Sequence, residues 1–411
     1  MVDKVAGMLA AILILLFTTG CWDRVEIDER GFVIGIAIDT MKDSNGKEGK
    51  AAKGQKGEFM VTYQLVVPSG IKQSGSTDSG GGANRAYFNI TLDGDTLTSL
   101  AAKLASKTSR APFFEHLQVV LISDEVARKE GAFADTIDYF LRDSEMRRSL
   151  KIMVVKGEAK QVLEVKPPNE KLPARFISSA AENTRKSSRM LEESRLGEVH
   201  EKLLKRESFL IQLVSVSKDR GDISIIGSAL FDGRTNNLID FIGGRDTAGI
   251  NLLRGSVSGG VINAEIEGGL VGYEINWERR RLWVEVSDPE RPVFHIDIRT
   301  KGIVDQSFKQ MDMTKEEAIM KLEAALSQKI KSIADNAMNK LQKKYGRDVV
   351  DLELFLYRDH YEIWKSIQKD WEEGRKLFTK AKVEVTVESE VQRSGSILKS
   401  ERRGRSVGDL H

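Results

Sequence analysis

The chain carries a single cysteine, at position 21 of 411 residues, close behind an apolar run from Val5 to Phe17. One cysteine excludes every intrachain disulfide and leaves almost no route to a cysteine-based zinc centre. The fold must therefore be held by burial and hydrogen bonding. The run is too short to span a bilayer as a mature helix, which takes about 20 residues. An apolar core of about 7 to 15 residues followed by small ones, here Thr18, Thr19 and Gly20, has instead the form of a secretory signal peptide. No later stretch approaches about 18 uninterrupted apolar residues, so the remainder reads as a water-soluble body.

Small residues directly before the cysteine resemble a bacterial lipoprotein signal, although Thr18 stands where a leucine is usual. In such a signal a diacylglycerol alkylates the thiol and residues 1–20 are removed, which makes Cys21 the lipid-attachment site and the new N-terminus. The alternative is cleavage elsewhere, with Cys21 a free thiol. Each acyl methylene that enters a bilayer contributes about 0.8 kcal/mol, so two chains hold a body stably where one holds it marginally.

Lys and Arg number 63 against 61 Asp and Glu, a net charge of +2, so the total gives no sign of a polyanion-binding surface and no nucleic-acid partner is expected. The five histidines, at 116, 200, 295, 360 and 411, form no close pair. No metal site and no cofactor is expected.

Length alone predicts roughly two to three domains. Apolar runs rich in β-branched residues at 32–38, 59–67, 117–122 and 150–155 read as strands. Between them, Leu97, Leu100, Ala101 and Leu104, then Phe133, Ile137, Phe140 and Leu141, carry helical spacing. Strands alternating with helices predict a mixed α/β domain over 21–195, including a helical linker. Gly-punctuated strands around a short helix at 246–253 predict a smaller α/β unit over 205–279. A third α/β unit over 280–398 carries a long helix through Ile319, Leu322, Leu326, Ile330, Ile333 and Leu341, stopped by Gly346, and a late strand with Val383, Val385 and Val387 on one face. The tail 399–411 reads as disordered. The expected class is α+β: three mixed units, each a sheet with packed helices.

The search for chemistry favours a non-enzyme. His200-Glu201 lacks the second histidine of a zinc helix, Ser-x-x-Lys recurs by chance at Ser69 to Lys72 and Ser366 to Lys369, and no nucleophile elbow or phosphate-cradling loop stands between a strand and a helix. His116, beside Glu115, reads as a hydrogen-bonded structural histidine at a strand start. Arg142, Glu145, Arg147 and Arg148 place both signs within about one helical turn. Local ion pairing is one reading of them, and a partner interface the other. Trp364 and Trp371 read as core or groove-lining residues on one helix face.

Several segments together resemble the Ger(x)C family of spore germination proteins, the lipoprotein C subunits of germinant receptors. The opening CWDRVEIDERGFVIGIAID, with Cys21, Trp22, Asp23, Glu26, Ile27 and Asp39, is similar to that family's first signature. SRAPFFEHLQVVLISDEVARKEG is similar to its second, with Glu115 in place of the usual glycine. IDYFLRDSEMR, GSALFDGRTNNLIDFIGGRDTAGINLLRG and IWKSIQKDWEEG follow in the family's order, so the likeness covers 21 to about 398.

The resemblance implies a non-catalytic body held by its N-terminal diacylglycerol at the outer face of the spore inner membrane. It would assemble there with integral membrane A and B subunits in a nutrient receptor. Two readings from other classes stand beside it: a lipid-anchored solute-binding protein of a transporter, which needs two similar lobes around a polar cleft, and a surface hydrolase, for which no nucleophile and base can be named.

Overall fold

In the computed structural model, which describes residues 30–41, 59–71, 85–217, 219, 221–266, 268–307 and 315–392, the first apolar run is the interior of strand β1 (Arg30–Thr40). Val33 through Asp39 are buried without a break, the pattern of a strand covered on both faces. Along the chain follow β2 (Phe59–Val66), β3 (Tyr87–Gly94), β4 (Ala111–Phe113), β5 (Val119–Ser123), β6 (Lys151–Val155), β7 (Phe209–Ser217), β8 (Asp222–Phe231) and β9 (Leu238–Gly243). They form one sheet in the order β3-β2-β1-β5-β6-β7-β8-β9, with β4 paired to the start of β1. Its centre, β1-β5-β6-β7, is parallel, and both flanks are antiparallel.

Helices cover both faces, as a parallel centre requires. On one side Leu97–Ala105, Ala132–Arg142 and Leu196–Lys205 bury Leu100, Leu104, Phe133, Ile137, Phe140, Leu196 and Val199. On the other, Lys160–Glu164 and Pro173–Ala180 bury Val162, Leu163, Ala174 and Ile177.

The second sheet, β10 (Gly260–Ile266), β11 (Gly269–Glu285), β12 (Val293–Ser307) and β13 (Lys382–Val391), runs in that order, with β12 and β13 parallel. The crossover between them holds the 25-residue helix Glu316–Lys340. From the predicted stripe Leu322, Leu326, Ile330 and Leu341 pack against Phe294, Ile296, Ile298 and Val385, while Ile319 and Ile333 are only partly covered. Ala334 and Ala337 take the buried positions instead, because 3.6 residues per turn rotates the apolar stripe along so long a helix. A π-turn at Leu341–Tyr345 ends it, and Gly346 follows at φ +64°, with its amide donating to the Leu341 carbonyl at 2.7 Å. That left-handed position is one glycine adopts without a Cβ clash.

The mixed α+β class expected from sequence holds, but hydrogen bonding groups the described strands into two sheets. Strands expected to form a separate unit over 205–279 divide between them. β7 joins β6 through Val154–Leu213 and Val155–Val214 and brings β8 and β9 into the first sheet, while β10 and β11 open the second. β11 runs unbroken from Gly269 to Glu285, across the boundary expected between the units at 205–279 and 280–398. Period-two patterning marks where a strand is; its partner is set by packing that the pattern does not encode.

Candidate functional site

Asp39, which closes the first signature strand, is buried and accepts the amides of Ala159 at 2.6 Å and Lys160 at 2.9 Å, fixing the start of the helix Lys160–Glu164. Burial, offset in part by those two amides, pushes its carboxyl up to about 6. His116 is exposed in the turn before β5, and its ring lies 5.4 Å from that of Phe32 and 5.7 Å from that of Phe113. The Arg30 guanidinium sits 4.0 Å from the Phe113 ring centre. Among the described residues, then, His116 makes aromatic contacts rather than the hydrogen bond expected of it.

Arg142 ends the helix Ala132–Arg142 and bonds back to Asp138 at 2.6 Å on an exposed face. Asp143 is already extended, so Glu145, Arg147 and Arg148 lie in the turns that follow rather than on the same helical turn. Glu145 points inward, its Oε2 accepting the Phe114 amide at 2.8 Å. Arg147 is exposed. Arg148 lies over Gly197, whose amide donates to the Arg148 carbonyl at 3.0 Å. Among the described residues no ion pair joins these four. Trp364 and Trp371 likewise do not share one helix face, because the helix Tyr361–Ile367 gives way to a 3₁₀ turn at Gln368–Asp370, but their rings meet edge-on at 6.1 Å. Cys21 and the tail 399–411 lie outside the described residues.

The most connected polar assembly, one that sequence reasoning missed, joins elements of the two sheets. Arg347, just past Gly346, donates to Asp232 in the turn after β8, through Nε at 3.0 Å and Nη2 at 2.5 Å, and Nη2 also reaches Glu373 at 2.9 Å. Asp348 beside it is buried and accepts the amides of Val350, Leu352 and Glu353 together with the Trp371 indole N–H at 3.1 Å. Its own amide donates to Glu372 at 2.6 Å, and the Ser208 hydroxyl donates to the other Glu372 oxygen at 2.6 Å. Burial pushes Glu372 up to about 7. Burial and the neighbouring Asp348 and Glu372 charges hold Glu353 well above the ordinary carboxylate range. Burial raises Asp232 too, but the Thr235 amide and the Arg347 guanidinium outweigh it, and Asp232 stays below its usual value. The one sequence signal for this joint is RDVVDLE placed directly behind the helix-stopping glycine.

Above the joint a cleft of about 640 Å³ opens between the helix Leu196–Lys205, residues 182–195 and the segment Arg254–Ser258. Its central charges are matched: Lys202 with Glu207 at 2.7 Å, Lys205 with Glu201 at 2.6 Å, Arg195 with Glu193 at 2.6 Å and Arg254 with Asp351 at 3.5 Å. Among the described residues no group of three or more His, Cys, Asp and Glu is placed to hold a metal.

Two mixed sheets locked by a buried ionic joint define an α+β body with a cleft lined by paired ions. Residues 23–216 match the spore germination protein N-terminal domain, and residues 226–395 match the spore germination B3/GerAC-like C-terminal domain. The chain belongs to this family of spore germination proteins. The change from one matched region to the other falls in the β7–β8 hairpin, inside the first sheet.

Among relatives, spore germination protein YndF of Bacillus subtilis (strain 168) is 29% identical over 96% of this chain and 98% of its own length. Spore germination protein B3 of the same organism is 25% identical over 87% and 90%, and protein KC 20% identical over 96% and 97%. The crystal structure of the GerBC protein superposes with a TM-score of 0.57 at 21% identity, covering 87% of this chain and 97% of that one, which is a likeness of fold.

Proposed function

We propose that this chain is a non-catalytic, lipid-anchored subunit of a nutrient germinant receptor, carrying a diacylglycerol on Cys21 and assembling with integral A and B subunits at the outer face of the spore inner membrane. The observation that carries this reading is the match to both spore germination regions over 23–216 and 226–395, standing directly behind the chain's one cysteine. Among the described residues no helix is long and apolar enough to cross a membrane, so on this reading Cys21 supplies the attachment. Arg30 is the ninth residue after Cys21, a reach of at most about 32 Å, which keeps the start of β1 near the bilayer. Within this assembly the exposed Arg142 and Arg147 are proposed to face a partner subunit.

Two measurements test it. Cys21→Ala should leave a folded chain that neither incorporates labelled palmitate nor sediments with spore membranes; unchanged labelling overturns the anchor. Deleting the gene should remove the response of spores to one class of nutrient, with sporulation and other germination routes intact. A normal response to every nutrient, in a strain without a paralogous receptor, overturns the receptor reading.

A further inference from the structure

β11 changes the way it faces part-way along its 17 residues. Up to Ile275 the odd-numbered Val271, Tyr273 and Ile275 are buried in the core under the long helix. Ile275 then pairs with Gly302 and Trp277 with Lys301, so Asn276 is an extra residue in β11. A bulge of this kind re-aims the side chains beyond it. Past the bulge Glu278, Arg280, Leu282 and Val284 are at least partly covered, and Trp277, Arg279, Arg281 and Trp283 are exposed on the opposite face.

Both tryptophans of that face are 41% exposed. Trp283 is the sixth residue after Trp277, about 20 Å along the strand. Neither ring is loose. Trp283 lies stacked on His295 at 5.0 Å with planes 9° apart, and Lys301 Nζ stands 5.8 Å from the Trp277 ring centre.

The cations of the neighbouring strand are engaged, Lys301 with Glu390 at 2.7 Å and Arg299 with Asp297 and Glu388 at 3.4 Å each, and the His295 ring lies 3.3 Å from Glu384 and 3.2 Å from Glu285. Arg279 instead faces Arg299 across the strand pair, and Arg281 faces Asp297, whose oxygens are taken by Arg299 and Thr386. Among the described residues neither Arg279 nor Arg281 has an ion-pair partner. Like charges directly opposite are unfavourable in a sheet, and Arg279 and Arg281 present guanidinium donors to which, among the described residues, the fold itself gives no carboxylate partner. Tryptophan and arginine are also the residue types that dominate binding energy at protein interfaces.

We propose that the exposed stripe Trp277, Arg279, Arg281 and Trp283 binds an extended acidic segment of a partner polypeptide. Carboxylates two residues apart in an extended chain are about 7 Å apart, the spacing of Arg279 and Arg281 on β11. Each guanidinium can take one carboxylate bidentately, and the tryptophan rings flank them with apolar surface. A bilayer fits the face less well. Glu285, Glu384, Glu388 and Glu390 share or border it, and a uniformly anionic lipid surface meets those acids as well as the arginines. The stripe's chemistry stands whether or not the chain serves a receptor.

The probe is a fluorescein-labelled peptide of alternating glutamate and leucine, titrated into the full chain and followed by anisotropy. Saturable, salt-weakened binding is expected, reduced at least tenfold in Arg279→Gln/Arg281→Gln and in Trp277→Ala/Trp283→Ala. No saturable binding by the wild-type chain, or full affinity in the arginine double variant with an unchanged melting curve, overturns the proposal. Binding to phosphatidylglycerol vesicles that is lost in the same variants, with no peptide binding, assigns the stripe to lipid and also overturns it. Should the double variants melt early, the intrinsic fluorescence of the wild type decides. Peptide-induced change in tryptophan emission supports the assignment, and its absence at saturating peptide overturns it.

Discussion

Arg142 and Arg347 are the same side chain in opposite settings. Arg142 is exposed and paired within its own helix to Asp138, an exposed i, i+4 pair whose loss costs little. Arg347 is largely buried between Asp232, Glu372 and Glu373. Removing one partner of such a pair leaves a buried charge uncompensated, which costs about 3–5 kcal/mol. Arg347→Ala should therefore lower the thermal midpoint by several degrees, whereas Arg142→Glu should leave the midpoint nearly unchanged while weakening recovery of the proposed receptor complex. Calorimetry on both variants checks the contrast; a large loss in Arg142→Glu would make that residue structural. The sequence marked Arg142 because opposite signs cluster around it, and passed over Arg347 because its partners lie far away along the chain. Local charge pattern reports neighbours in sequence, whereas burial and partnership at 347 are products of the fold.

Elements were legible where their own period sufficed. Strands β1, β2, β5 and β6, the long helix and its glycine stop follow from apolar spacing and from the left-handed position at Gly346. The pairing of β7 with β6 and the bulge at Asn276 were not legible, since each depends on a partner strand remote in sequence. A glycine shows the same limit. Gly227 in β8 has φ +148°, and a Cβ there would stand 2.1 Å from the Ile242 carbonyl oxygen on β9. Gly243, paired with it, has open space at its Cβ position. Gly227→Ala should destabilise by about 2 kcal/mol or more through strain and a forced shift of β9, and Gly243→Ala by much less. Denaturant midpoints measured side by side test this. Equal effects would mean that β9 yields without cost.

At the scale of the whole molecule, buried carboxylates in both sheets couple stability to pH with one sign. Glu278, on the helix-covered side of β11, accepts the Val257 amide at 2.7 Å, and burial pushes it up to about 8. Glu372 at the joint lies at about 7 and Asp39 in the first sheet at about 6, against ordinary values of 4.5, 4.5 and 3.8. Raised in the folded state, each contributes stability that is complete below its ordinary value and is lost as pH rises through its folded value. Carboxylates held below their ordinary value, such as Asp232 and Asp240, act in the other direction, but only once pH falls through the range around 4 and below. Between about pH 5 and 8 the raised groups therefore set the sign, and a carboxyl raised tenfold in proton affinity contributes about 1.4 kcal/mol. The thermal midpoint should rise by several degrees as pH is lowered from 8 to 5. Glu278→Gln keeps an acceptor for the Val257 amide and removes the titration, so it should flatten the upper part of that slope and raise the midpoint at pH 8 most. The two sheets share the Asp232–Arg347 joint and a continuous core through Leu230, Ile250 and Ile330. The transition should accordingly stay single across this range, observed alike by calorimetry and by tryptophan fluorescence. A midpoint that climbs with pH, or a Glu278→Gln profile parallel to the wild type, would show that these carboxylates are hydrated in solution and do not govern the stability of the fold.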